Sequence, residues 1–202
     1  MNEHTELLVA TNNAGKVREL SQLLSDFPLR LRLLGEFPDV EEAEETGATF
    51  VENAVIKARY YSTRTGLLTL SDDSGLAVDA LGGAPGVYSA RYAGREATYA
   101  ERMSKLLGEL DATGDAERRA RFVCVIAVAD PVAGTLHTFE GECRGRLAHT
   151  PRGTGGFGYD PLFIPDGHDR TFGELPADIK HRLSHRARAL HKAARHLRER
   201  YT

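Results

Sequence analysis

"LLVATNNAGKVREL", Leu7 to Leu20, carries the pattern on which the fold reading turns. It opens with an apolar run suited to a short buried strand, Leu7 to Ala10, and after Gly15 the positions Val17, Leu20, Leu23, Leu24 and Phe27 step at helical spacing. Strand, loop and helix in that order begin an α/β domain. The loop between them, Thr11-Asn12-Asn13-Ala14-Gly15-Lys16, exposes the amides of a helix N-terminus, where N–H donors and the macrodipole stabilise an anion. A Walker A loop demands G-x-x-x-x-G-K and then serine or threonine. Here Thr11 replaces the first glycine and Val17 the hydroxyl, so the loop is of another kind; an ordinary connection with a solvated lysine reads these residues equally well.

Outward from this stretch, "LRLRLL" (Leu29 to Leu34) alternates as a half-buried strand does, and the acidic segment Glu41 to Glu45 follows. Thr49 and Glu52 fit a capping box, which starts a helix through Ala54, Val55, Ala58 and Tyr61 to Gly66. "LLTLS" reads as a buried strand that delivers Asp72 and Asp73 at its C-terminal end, ahead of the breaker-rich "LGGAPG". A second capping box, Thr98 with Glu101, starts a helix with Met103, Leu106, Leu107 and Leu110 on one face. Phe122 to Ala129 and Thr135 to Arg144 read as long paired strands, and Leu147 opens a shorter one. "PRGTGGFGYDP" places four glycines between Gly153 and Gly158, so its backbone approaches something closely. Ser184 fits the N-cap of a last helix through Ala187, Leu190, Ala194, Leu197 and Tyr201. Alternating elements early and strands in series later give a mixed-sheet α/β domain.

Bulk properties narrow the functions. A chain of 202 residues with 41% hydrophobic content fits one domain, 1–202, by a prior of about 150 residues per domain. The longest apolar run, Phe122 to Ala129, falls far short of the ~20 residues of a membrane-spanning helix. The start, "MNEHTELLVA", is acidic where a secretory signal is basic, so the expected compartment is the cytoplasm. Cys124 and Cys143 make no metal or redox pair and read as buried thiols. A net charge of -3 gives no general pull toward nucleic acid, so a phosphate-bearing ligand needs a local site.

Candidate chemistry gathers in clusters. "EAEETG" (Glu42 to Gly47) and "SDDSG" (Ser71 to Gly75) offer carboxylates for a hard divalent cation such as magnesium; the plainer reading of each is a solvated acidic turn. Neighbours on an extended backbone point oppositely, so Asp72 and Asp73 cannot face one ligand alike. Asn53 and Lys57, four residues apart, share a helix face. Phe157 or Tyr159 in "GGFGYD" fits base stacking or core packing. His181 and His185 in "KHRLSHR" have zinc-like spacing but no evident third ligand.

The motifs "ATNNAGK", "EETGATFVENAVIKAR", "DDSGLAVDALGGAPGVYSARYAG", "GTGGFGYDPLF" and "KHRLSHR" occur in this order from near Leu8 to near Leu190. Together they resemble the family of non-canonical purine nucleoside triphosphate pyrophosphatases. The one departure noticed is Asn12, where that family usually has glycine; asparagine tolerates left-handed φ well enough to keep such a turn. The resemblance implies a two-lobed α/β fold on an elongated mixed sheet with flanking helices, an active-site cleft between the lobes, and a homodimer. It implies magnesium-dependent hydrolysis of inosine, deoxyinosine and xanthosine triphosphates to monophosphate and pyrophosphate, which clears deaminated purines from the nucleotide pool. By the same resemblance Asp73 is the base and a magnesium ligand, with Glu45 and Glu44 completing the metal's protein ligands. Lys57 and the loop Thr11, Asn12, Asn13, Ala14, Gly15 and Lys16 hold the phosphates, and Ser74 adds a hydroxyl. Phe157, Gly158, Tyr159, Asp160, Lys180, His185 and Arg186 surround the base. Donors aimed at a 6-keto oxygen accept hypoxanthine and reject adenine.

Overall fold

The computed structural model describes residues 5–25 and 27–201; the acidic start read at Met1 to His4 lies outside them. Six strands, β1 (Glu6–Val9), β2 (Arg30–Leu33), β3 (Leu68–Val78), β4 (Arg119–Asp130), β5 (Thr135–Leu147) and β6 (Phe163–Pro165), form one sheet in the order β2-β1-β3-β4-β5-β6. β1 pairs parallel with β2 and β3, in register Leu7 with Leu31 and with Leu68. β5 pairs antiparallel with β6, so the sheet is mixed, as expected. The helices are α1 (Ala14–Leu23), α2 (Phe50–Thr65), α3 (Tyr99–Thr113), α4 (Ala177–Leu183) and α5 (His185–Tyr201).

Contacts divide the chain into two units: residues 1–73, 124–141 and 187–202 form the first, and residues 74–123 and 142–186 the second. In the first unit Leu7 to Val9 of β1, residues 68–73 of β3 and residues 124–129 of β4 are buried on both faces. Leu7, Val9, Leu68, Leu70, Cys124, Ile126 and Val128 pack with Leu20 and Leu24 of α1 and its C-cap and with Leu190 and Leu197 of α5. The alternate residues turn the other way: Leu8 and Ala10 meet Tyr61 of α2, and Val125, Ala127 and Ala129 meet Ala54 and Ala58 of α2. Small residues on both sides of that last contact let α2 lie close to the strand, and Lys57 follows from its place beside Ala58.

The second unit has one core cluster. Leu76 and Val78, α3 through Met103, Leu106 and Leu110, and Phe122, Leu147, Phe163 and Phe172 share it. Here β5 alternates, with Cys143, Gly145 and Leu147 buried and Arg144 and Arg146 exposed. Such alternation belongs to a sheet with one covered face.

Both expected capping boxes are present. The Thr49 hydroxyl accepts from the Glu52 amide at 3.1 Å while Glu52 accepts from the Thr49 amide at 3.0 Å, and α2 ends at Gly66 in the left-handed region. Thr98 and Glu101 repeat the arrangement on α3, and such caps contribute ~1 kcal/mol each.

Four sequence boundaries change. α1 stops at Leu23, short of Phe27, where Pro28 disfavours helix at Phe27 itself. β3 does not end at the aspartates but runs through them to Val78. Leu147 closes β5 instead of opening a strand, and the last strand is the three-residue β6. The basic cluster contains a helix of its own, α4, and Ser184 stands in extended conformation between α4 and α5.

Candidate active site

In the first unit β3 sorts its aspartates by strand alternation. Asp72, fully buried, places Oδ2 3.1 Å from the Lys16 ammonium, which also donates to the Asp72 carbonyl at 3.4 Å. Asp73 instead faces α2, with Oδ1 3.6 Å from the Lys57 ammonium. The same ammonium donates to Glu45 Oε1 at 2.6 Å, so Lys57 is shared between two carboxylates that are far apart in sequence. Glu45 is half-buried; Glu44 is exposed and is not brought to this ammonium. Burial pulls the Lys57 ammonium down, but Asp73, Asp72 and Glu45 together outweigh it and hold it above the ordinary lysine value. Burial pushes the Asp73 carboxyl above the usual carboxylate range, and Lys57 and Lys16 only partly restore it. A carboxyl raised in this way is suited to taking a proton.

The acidic segment is tied to α2 by Asn53, whose Oδ1 accepts from the Gly47 amide at 2.8 Å. A Cβ on Gly47 would sit 2.7 Å from that Oδ1 and 2.6 Å from Glu52 Cβ, so glycine is required for the close approach. Asn53 thus shares a helix face with Lys57, as its spacing indicates, but it acts by positioning the segment that carries Glu45.

The loop Thr11 to Lys16 is a cap. Asn13 Oδ1 accepts from the Gly15 and Lys16 amides at 2.9 and 3.2 Å, and Thr11 Oγ1 accepts from the Asn13 amide at 3.2 Å. These helix-start donors are already engaged, and Lys16 carries the loop's charge. Ala14 opens α1, and Asn12 is exposed. Among the described residues the one non-glycine with positive φ is Arg118, so Asn12 meets no left-handed demand and the replacement of the family glycine costs nothing there.

The second unit assembles the other predicted residues. Asp160 accepts from the Phe157 amide at 2.7 Å and from the Lys180 ammonium, and both Asp160 and Lys180 are buried. The Lys180 ammonium lies 4.8 Å from the Phe157 ring centroid, and the Arg186 guanidinium lies 5.5 Å from it. Arg186 also donates to Ser74 Oγ at 2.9 Å. His185 stacks on Phe122 at 4.7 Å. Tyr159 is a core ring: it packs edge-on against Tyr99 at 5.8 Å and its hydroxyl donates to the Ser89 carbonyl at 3.0 Å. Phe157 is only half-buried, and Gly158 lies beside Tyr99. The glycines approach the protein itself, since a Cβ on Gly156 would meet Asp160 Oδ2 at 2.0 Å and one on Gly153 would meet the Gly173 carbonyl at 2.1 Å.

His181 and His185, spaced for zinc in the sequence, fall on different helices, α4 and α5, and no group of three or more histidines, cysteines and acids placed to hold a metal ion occurs among the described residues. Magnesium makes a smaller demand, one or two carboxylates with substrate phosphates supplying other ligands. Glu45 and Asp73 fit it, being hard oxygen donors that already converge on one cation. Sequence reasoning left Asp72 without a role, although strand alternation had marked one aspartate of the pair as different; its partner Lys16 is 56 residues away and has no local signature.

A mixed α/β sheet with buried lysine–carboxylate clusters is suited to handling polyphosphate. Comparison with known proteins agrees. The sequence profile of the Ham1 family matches residues 7–196. A protein of Geobacter sulfurreducens named dITP/XTP pyrophosphatase is 50% identical over 193 residues, covering 96% of each chain. One of the same name from Streptomyces avermitilis is 46% identical over 96% of this chain and 98% of its own. The solved structure of a HAM1 protein from Coxiella burnetii is 45% identical, covers 96% of this chain and 99% of its own, and superposes with a TM-score of 0.89. The chain belongs to the Ham1 family.

No helix among the described residues is long and apolar enough to cross a membrane.

Proposed function

We propose that the chain, as one domain over 1–202, hydrolyses deoxyinosine, inosine and xanthosine triphosphates to the monophosphate and pyrophosphate and so removes deaminated purines from the nucleotide pool. The observation that carries the reading is the Lys57 ammonium shared by Glu45 and Asp73, in a chain 50% identical to a protein named for this activity.

Cleavage between the α and β phosphates needs an in-line water, a base for its proton and positive charge on the phosphoryl oxygens. Asp73 is the base by the family resemblance, which its position facing the Lys57 ammonium supports. Glu45 and Asp73 would hold magnesium, with Glu44 next to Glu45 in the same acidic segment. When bound, magnesium neutralises phosphoryl oxygens and lowers the pKa of coordinated water. Lys16 and Lys57 hold the triphosphate by charge. Because Asn13 engages the Gly15 and Lys16 amides, the loop contributes chiefly its ammonium.

Around the purine, Lys180 and Arg186 are donors held in place by Asp160, Phe157 and Ser74, and His185 is fixed on Phe122. A 6-keto oxygen satisfies such donors, whereas adenine's 6-amino group would leave them buried and unmet. The family resemblance further supports a cytoplasmic homodimer, which light scattering checks by mass.

The test is pyrophosphate release across a panel of nucleoside triphosphates with magnesium. Deoxyinosine and xanthosine triphosphates should turn over far faster than adenosine or guanosine triphosphate; equal rates, or none, would overturn the reading.

A further inference from the structure

We propose that Lys57 is a resident counter-cation that exchanges with metal: in the nucleotide-free protein its ammonium neutralises Glu45 and Asp73, and when metal arrives with triphosphate it transfers from those carboxylates to the phosphate tail. This rests on the proposed function for the identity of the nucleotide.

The placement is the first argument. The ammonium lies 2.6 Å from Glu45 Oε1 and 3.6 Å from Asp73 Oδ1, the two carboxylates whose chemistry suits magnesium. An ammonium and a divalent ion compete for the same oxygen lone pairs and repel one another.

Charge is the second. Asp72, Asp73 and Glu45 all act on Lys57, and Lys16 is the other nearby cation. Metal alone would have to oust an ammonium that three carboxylates favour. Metal with triphosphate brings that ammonium a new anionic partner.

Burial is the third. Lys57 is 8% exposed, so on leaving Glu45 it cannot simply be discharged into bulk water. Its flexible four-carbon stem needs only another anion within reach. Metal and nucleotide therefore bind cooperatively, and Lys57 is the source of the coupling.

The test titrates manganese into the nucleotide-free protein, reading free ion by electron paramagnetic resonance, so that no turnover is needed. Lys57→Gln should tighten manganese binding by about fivefold or more, the lower end of ordinary coupling. It should also shrink the gain in manganese affinity produced by a non-hydrolysable inosine triphosphate. Lys16→Gln, which removes equal charge beside Asp72, should change nucleotide-free binding much less. Glu45→Gln added to Lys57→Gln should cancel the tightening. Unchanged or weaker binding in Lys57→Gln, equal tightening in Lys16→Gln, or a gain that survives loss of Glu45 would each overturn the exchange. If Lys57→Gln fails to fold, Lys57→Met is read in the same way. Pyrophosphate release by the unaltered protein tests the enzymatic reading separately, and its absence would leave the manganese result to stand or fall alone.

Discussion

β4 passes through both units and changes character on the way. Over 119–123 buried and less buried residues alternate, whereas 124–129 are buried without a break. The candidate site residues follow suit. In the first unit, between two helical layers, they are lysines and carboxylates that hold one another against the cost of burial. In the second a buried pair, Lys180 with Asp160, is enclosed by rings and hydrogen bonds: Lys180 over Phe157, His185 on Phe122, Tyr159 against Tyr99. Charges kept in the first manner are held chiefly by one another. Those kept in the second manner are part of the packing.

The sharpest test of that contrast is Asp73→Asn. It should lower turnover of inosine triphosphate by about 10²–10⁴-fold, the share ordinarily due to a general base. It should not lower the melting temperature at neutral pH. The Asp73 pKa is raised on folding, so the stability it contributes exists below its unfolded value of about 3.9 and is lost as pH rises through the folded value. An asparagine avoids that loss, and a variant that melted early would break the comparison.

Lys180→Ala, in the second unit, should act first on the fold. It removes the ammonium that neutralises buried Asp160, a loss of about 3–5 kcal/mol in thermal or denaturant unfolding. An unaltered unfolding curve would show that the pair is not part of the packing. Lys16→Ala falls between the two. Its KM should rise about tenfold to a hundredfold, as for a charged hydrogen bond, and its stability should fall because Asp72 loses its ammonium. Adding Asp72→Asn should recover the stability and not the KM, which separates the structural and binding duties of one pair.

The smallest effect lies away from the chemistry, at His196 on α5, 4.3 Å from the His137 ring. Burial, then His137, depress its pKa. Its stabilising contribution is present above the unfolded value of about 6.5 and is lost as pH falls through the folded one. His196→Leu should therefore narrow the drop in melting temperature between about pH 7.5 and about pH 5.5; an unchanged drop would clear this pair of any part in acid sensitivity.

What the sequence made legible was local. Thr49 with Glu52 and Thr98 with Glu101 announced their helices because a cap is satisfied within one turn, and the family motifs brought the charged residues to notice. What it hid was long-range. "SDDSG" looked like the end of a strand because polar residues in a strand interior need partners, and theirs come from elsewhere: Ser71 donates to the Ala54 carbonyl, Asp72 meets Lys16, and Asp73 meets Lys57. β6 is too short to show a period, and α4 was concealed by basic residues that read as surface. Tyr159 fits stacking or core by sequence, and its burial, its packing against Tyr99 and its bond to Ser89 assign it to the core.

The division of β3 between Asp72 and Asp73 has a consequence for how this chain can vary. The two carboxylates are told apart by odd and even position on a strand, and by nothing else in their chemistry. A substitution at a neighbouring position leaves that sorting intact, but inserting or deleting one residue between Leu70 and Asp72 would trade the two places, turning the Asp73 carboxylate toward α1 and the Asp72 carboxylate toward α2. Lineages of this protein should therefore keep both aspartates and tolerate changes of letter elsewhere in that strand while forbidding any change of count.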